Sequence, residues 1–225
     1  MNRTTITLLS ILSIALVLGV VGPARADLML TLNVHFGDVP AAGYLVATFE
    51  DTGTDEVTLT MDATYLEDDE WIDGSLGWAF NFTDGLGLSA SDLNWSSGVV
   101  AHSVTVDPSG SGSLLKADGD GDFDMAIKFP TPSGSRLGAP GGDGIAGSTS
   151  VYTITHPGSG LTASDFNLFS EVGGGQGTYL SVAEIQSTGP DGQGSDWIGA
   201  VPAPGAVLLG VIGLGLVVWV KRRFG

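Results

Sequence analysis

The sequence predicts an all-β protein, a jelly-roll-like β-sandwich of about eight strands, with an N-terminal signal peptide before it and a single C-terminal transmembrane helix after it. Three observations carry that expectation. Between Asp27 and Ala200 apolar residues recur with period two rather than 3.6, in runs of strand length. Of the 35 glycines, 28 fall in the same region and separate those runs, together with Asp, Ser and Pro. Each end of the chain carries an apolar segment next to basic residues, a pattern the middle lacks.

The first element is an export signal over residues 1–26. Arg3 supplies a positive start, residues 8–21 an apolar core, and Ala24-Arg25-Ala26 a small-residue cleavage site before Asp27. The mature chain is therefore expected to begin at Asp27.

The body follows over residues 27–188. Its strands are expected at residues 28–36, 44–50, 57–62, 77–82, 99–106, 123–129, 151–156 and 179–186. Long glycine-rich connections favour a sandwich over a barrel. The longest, residues 130–150, has four glycines and one proline within 138–144. All 25 Asp and Glu lie in residues 27–200 with only Lys116, Lys128 and Arg136 as cations, which leaves that stretch at −22. Such a charge repels nucleic acid and anionic lipid surfaces and attracts divalent cations or basic partners. Cysteine is absent, so core packing must hold the fold without disulfides, and neither a thiolate nucleophile nor a thiolate metal site is available.

A repeat runs through the body. Gly87-Leu88-Ser89-Ala90-Ser91-Asp92-Leu93-Asn94 returns as Gly160-Leu161-Thr162-Ala163-Ser164-Asp165-Phe166-Asn167, six of eight positions being identical. Ser89-x-x-Asp92 and Thr162-x-x-Asp165 fit a capping box, so the two octets are expected to be equivalent corner turns, with Leu93 and Phe166 plugging the end of the sandwich.

Three candidates for chemistry stand out. In Asp118-Gly119-Asp120-Gly121-Asp122, acids at alternate positions with glycine between them suit a hard cation that wants six to eight oxygens. An EF-hand is excluded, because Phe123 stands where that loop needs glycine and Phe129 where it needs the closing acid. What remains is a weak calcium site, on the order of millimolar, at Asp118, Asp120 and Asp122, set against a plain hairpin turn. The acidic run Glu67-Asp68-Asp69-Glu70 reads as a solvated loop. Trp71, Trp78 and Trp95 suggest an aromatic platform for sugar rings, with Trp71 the expected contact and Trp78 more at home in the core. Catalysis finds no such support: His35, His102 and His156 are scattered, and neither a nucleophile elbow nor a phosphate loop is present. A non-enzymatic protein is expected.

Residues 189–200 read as a flexible tether. Beyond it come Val201-Pro202-Ala203-Pro204, an uncharged apolar segment over 205–220, and Lys221-Arg222-Arg223. At about 1.5 Å per residue those sixteen residues reach roughly 24 Å, short of the roughly 30 Å bilayer core, with Trp219 and the cations settling at the interface. The basic end belongs on the cytoplasmic side.

This order of a proline motif, an apolar helix and a basic terminus resembles the PEP-CTERM sorting signal of Gram-negative bacteria. Val201, Pro202 and Pro204 match its Val-Pro-Glu-Pro motif position by position, and Ala203 stands where the family has Glu. The resemblance covers about a tenth of the chain. It implies an exosortase-type processing enzyme as partner and cleavage near residues 201–204. It also implies transient residence in the inner membrane, then release to the cell surface or an extracellular matrix rich in exopolysaccharide. The strand, loop and octet over residues 123–167 also resemble bodies found ahead of such signals. The competing expectation is a carbohydrate- or calcium-binding module held as a single-pass membrane protein.

Overall fold

The computed structural model describes residues 27–67, 69–107, 115–117, 120–173, 175 and 177–201, the side chain of Asp120 excepted. The expected signal peptide with Ala24 and Ala26, Asp118, and residues 202–225 lie outside these. The described chain is all-β. Its strands are β1 (Asp27–His35), β2 (Leu45–Gly53), β3 (Glu56–Asp62), β4 (Trp71–Ile72), β5 (Trp78–Phe80), β6 (Leu93–Gly98), β7 (Ser103–Val106), β8 (Leu115–Ala117), β9 (Asp120–Phe123), β10 (Met125–Lys128), β11 (Arg136–Leu137), β12 (Ile145–Gly147), β13 (Thr149–Thr155), β14 (Ser181–Thr188) and β15 (Gly194–Ala200). Each expected run contains a strand.

Period-two patterning does what it should. In β2 and β3, Leu45, Ala47 and Phe49 alternate inward beside Val57, Leu59 and Met61, and in β13 Tyr152 and Ile154 follow suit. These faces belong to one antiparallel sheet with the order β6-β13-β3-β2-β1-β15-β14-β5-β10-β7, and β4 pairs with β14 off that path. The sheet curls. Phe49 of β2 meets Phe80 of β5 edge-on at 5.4 Å between ring centroids, although three strands separate them in the sheet. Its two outermost strands, β6 and β7, are consecutive in the chain, joined by residues 99–102.

That link seals the seam. The Val99 N–H donates to the Thr149 carbonyl (2.8 Å), the Ala101 N–H to the Tyr152 hydroxyl (3.0 Å) and the His102 N–H to the Lys128 carbonyl (2.7 Å), so β13 and β10 hold it from both sides. Burial pushes the Tyr152 phenol above its ordinary range, against the Ala101 N–H and the Ser150 hydroxyl, which favour the ionised form. Inside the curl Trp78 is fully buried, and its indole N–H reaches the Ser181 hydroxyl at 2.9 Å.

The sheet also differs from expectation at its C-terminal side. Residues 194–200 are not a tether: β15 is hydrogen-bonded to β1 on one edge and to β14 on the other. Tertiary context overrides the turn-like composition of Gly194-Ser195-Asp196-Trp197-Ile198-Gly199-Ala200, because both edges find partners and Ile198 and Ala200 are buried. The body therefore extends to Ala200. A bulge in β1 between Leu32 and Val34 turns Val34 and Phe36 to the outer side. There Phe36 stacks on Tyr179 at 4.7 Å and lies 6.3 Å from Trp197, in a second small core capped by Leu115, Ala117 and Phe123 of the β8–β9 pair. The 130–150 connection is ordered too, its β11 and β12 pairing in parallel.

One substitution and one truncation check this architecture by chemical denaturation of residues 27–201. Phe49→Ala removes a fully buried ring and should cost about 3–5 kcal/mol. Ending the chain at Thr188, which deletes β15, should abolish cooperative unfolding, whereas a true tether would be dispensable.

Candidate functional site

The repeated octets form the corners expected of them. Short 3-10 turns span Ala90–Asp92 and Ala163–Phe166, each a capping box in which the acid accepts the N–H of the cap residue: Ser89 to Asp92 Oδ2 and Thr162 to Asp165 Oδ2, both at 2.8 Å. Phe166 is fully buried and stacks on Phe49 at 4.2 Å, while Leu93 enters the same core. The first octet carries the chain from β5 to β6 and the second from β13 toward β14, while β5 lies beside β14 and β6 beside β13. Two crossovers thus span the curl side by side.

They are also linked crosswise. Thr83, ahead of the first octet, donates its hydroxyl to Asp165 Oδ1 of the second (3.0 Å) and its N–H to the Asp165 carbonyl (2.9 Å). His156, at the equivalent place ahead of the second octet, sets Nδ1 3.3 Å from Asp92 Oδ2 of the first. Burial acts to raise the Asp92 carboxyl, but the Ser89 hydroxyl and N–H and the His156 imidazole outweigh it and hold the group below its ordinary range. The second turn is anchored further by the Asp51 carboxylate, which takes the Ala163 N–H (2.6 Å), and by Asp55, which takes those of Gly158 and Gly160 (both 2.7 Å).

Where the crossovers meet β9 and β10, a cleft of about 170 Å³ opens between Asn81, Asp84, Asp122, Asp124, Phe169 and Glu171. Four carboxylates face this space, with Asp122 the one member of the expected calcium set whose side chain is described. Its backbone exchanges hydrogen bonds with Glu171 (3.0 and 3.3 Å), and its Oδ1 lies 3.3 Å from Lys116 Nζ without hydrogen-bond geometry. Asp124 is buried and accepts the Phe82 N–H at 3.0 Å. Gly121 has a structural reason to be glycine, because its φ is +63° and a Cβ would meet Ser170 Oγ at 2.4 Å. Among the described residues no group of three or more His, Asp or Glu is spaced to hold a metal ion.

The tryptophans do not form a platform. Trp78 is core, Trp95 lies half exposed on the outermost strand β6, and Trp71 sits on β4 beside β14. One face of the Trp71 ring is covered by the Arg136 guanidinium, 4.2 Å from its centroid. The acidic run ahead of it is not all solvated. Glu70 is buried and accepts the N–H groups of Ala42 (2.6 Å) and Glu67 (3.2 Å). Burial lifts the Glu70 carboxyl above its ordinary range, and those N–H groups limit the rise.

Sequence reasoning missed Asp196, which the tether reading had placed in a linker. This fully buried carboxylate holds His35 Nδ1 (2.5 Å) and the N–H groups of Gly37 (2.9 Å) and Ala41 (2.8 Å), closing the loop after β1 onto β15. No local pattern marks it, because glycine and the aspartate itself break the apolar alternation of β15. The acid and imidazole have the orientation of a general-base pair, but the same carboxylate closes a loop, and that is the use visible here. Among the described residues no helix is long and apolar enough to cross a membrane.

No protein-family model, curated protein or solved structure matches this chain.

Asp196→Ala should cost about 3 kcal/mol or more in urea unfolding, because it strips three partners from buried or half-buried donors at once. For Asp92, a folded-state pKa below the unfolded one adds stability that is fully present above the unfolded pKa and is lost as pH falls through the folded pKa. Asp92→Asn should therefore be less stable than the unmodified protein by about 1 kcal/mol at pH 7, a gap that narrows and closes as the solution is acidified.

Proposed function

We propose that this is an exported, non-enzymatic surface or extracellular-matrix protein, and that an exosortase-type enzyme processes it at residues 201–204. The curled sheet is, in this reading, a jelly-roll-like β-sandwich carried as cargo, and residues 205–220 are its temporary membrane helix. The supporting observation is the position of Val201. It follows β15 directly, the sheet ends one residue before it, and 41 % of it is exposed. A cut anywhere in 201–204 leaves every strand of the sheet whole, whereas a cut a few residues earlier would remove part of a strand paired on both edges.

The distance available is short. Four extended residues reach at most about 14 Å, so a body anchored at 205 would rest close against the bilayer. An acidic body at −22 is repelled by anionic headgroups at that range, which favours release over residence. Released, it is expected among exopolysaccharide outside the cell.

Mass spectrometry of the protein purified from its own cells tests this. The expected species begins at Asp27 and ends within residues 202–204, and in cells lacking the processing enzyme it keeps residues 205–225. A mature form ending at Gly225 in unaltered cells would instead establish a permanent single-pass anchor.

A further inference from the structure

On the outer face of β1 and β2 lies a groove of about 330 Å³, lined by Met29, Thr31, Asn33, Tyr44, Val46 and Tyr65. Three of its walls are large and exposed: Met29 (67 %), Tyr65 (45 %) and Tyr44 (37 %). The two tyrosine rings stack at 4.5 Å between centroids and 12° between planes. Their backbones are fixed from below. The Tyr44 N–H donates to the Tyr65 carbonyl (3.3 Å), and Gly43 lies so close beneath that a Cβ there would meet that carbonyl oxygen at 2.1 Å. Ala63 and Leu66, on either side in the chain, are buried, and the Ala63 N–H bonds Ser148. An exposed aromatic pair is thus held in place by backbone packing rather than left to swing.

The chemistry of the lining narrows the occupant. None of the six residues is charged, in a body of −22. An anionic ligand would be repelled by the body as a whole, and a cationic one would find no acid in the lining, the neighbouring Asp62 opposite Val46 already accepting the Thr64 N–H at 2.8 Å. The side chains of Thr31 and Asn33 make no hydrogen bond among the described residues, so a hydroxyl, an amide carbonyl and an amide NH₂ stand ready beside the rings. β2 is paired on both edges, and β1 meets β15 only from Leu32 onward, which leaves its edge at residues 27–31 open; the groove, however, lies on the face of the sheet, whereas a peptide that adds a strand joins at the edge. What fits is a ligand with a C–H face to lay on the electron-rich face of a tyrosine, and hydroxyls at its rim.

We propose that this groove binds an uncharged saccharide through Tyr44 and Tyr65, with Asn33 and Thr31 reading its hydroxyls. The inference stands apart from the sorting proposal, since every residue concerned lies in the sheet. It places the sugar contact on the outward faces of the stacked tyrosines rather than on Trp71.

Saturation-transfer NMR on the full chain, in a sugar-free detergent, tests it with cellohexaose, maltohexaose, laminarihexaose and mannohexaose as probes and hexagalacturonate as the anionic control. At least one neutral hexamer should receive saturation on its ring protons, and hexagalacturonate should receive none. Tyr44→Ala and Tyr65→Ala should each weaken binding by about tenfold or more, the equivalent of losing one aromatic contact, and Asn33→Ala should weaken it less. Trp95→Ala should leave it unchanged. Unaltered denaturation midpoints in Asn33→Ala and Tyr44→Ala separate lost contact from lost folding. The proposal is overturned if none of the four neutral hexamers binds, if binding survives both tyrosine substitutions, or if the tyrosine variants instead break a dimer seen by analytical ultracentrifugation.

Discussion

Strand β15 is hydrogen-bonded along both edges, and the rest of the molecule depends on that double pairing. It joins β1, the first of the described strands, to β14, the last before β15 itself. Without it, the arm built from β6, β13, β3, β2 and β1 and the arm built from β14, β5, β10 and β7 would share no backbone ladder at this junction. Asp196 adds a second function to the same strand by gathering His35, Gly37 and Ala41 onto it. In a chain without cysteine, such a contact between residues about 160 positions apart in sequence does part of what a disulfide does elsewhere, by tying distant segments in the folded state. It does so without constraining the unfolded chain.

The other closure is the pair of crossovers. Their shared sequence has a physical reason, since each acid serves two partners at once. Asp92 caps its own turn and meets His156 before the other, and Asp165 caps its own turn and meets Thr83 before the first. Thr83 and His156 stand at the same offset as the two octets, 73 residues apart, yet one contact is a hydroxyl hydrogen bond and the other an imidazole–carboxylate pair. The geometry is duplicated while the chemistry is not.

What the sequence disclosed follows the length scale of the interactions. Alternation within β2, β3 and β13 is local, and those strands are legible as such. The capping boxes are also local, four residues wide, and both octets could be read as turns from their own letters. β15 was not legible, because glycine and a buried aspartate interrupt its pattern and its partners lie far off in sequence. The acidic residues divide in the same way. Nothing within the run Glu67-Asp68-Asp69-Glu70 says that Glu70 turns inward to meet Ala42, or that Asp69 Oδ1 accepts the Asp143 N–H at 2.7 Å. Trp71 looked open for stacking until the 130–150 connection folded back and laid Arg136 over it.

Charge placement gives the last step. A body with 25 acids and three cations keeps neighbouring copies apart in water, yet the outer faces of β1 and β2 leave a neutral aromatic strip exposed. Acids in place of Met29, Tyr44 and Tyr65 would leave the buried core intact and cost only the Tyr44–Tyr65 stack, since all three side chains lie outside that core. Long exposed strips on sheets invite association, and the usual remedy is charge along them. Here the remedy is supplied by the whole body, whose repulsion acts over about a Debye length of 8–10 Å and leaves small uncharged molecules unhindered. The groove can then stay uncharged without making the protein adhere to itself, and in the proposed saccharide reading the selection of what enters it passes from charge to shape and hydroxyl pattern.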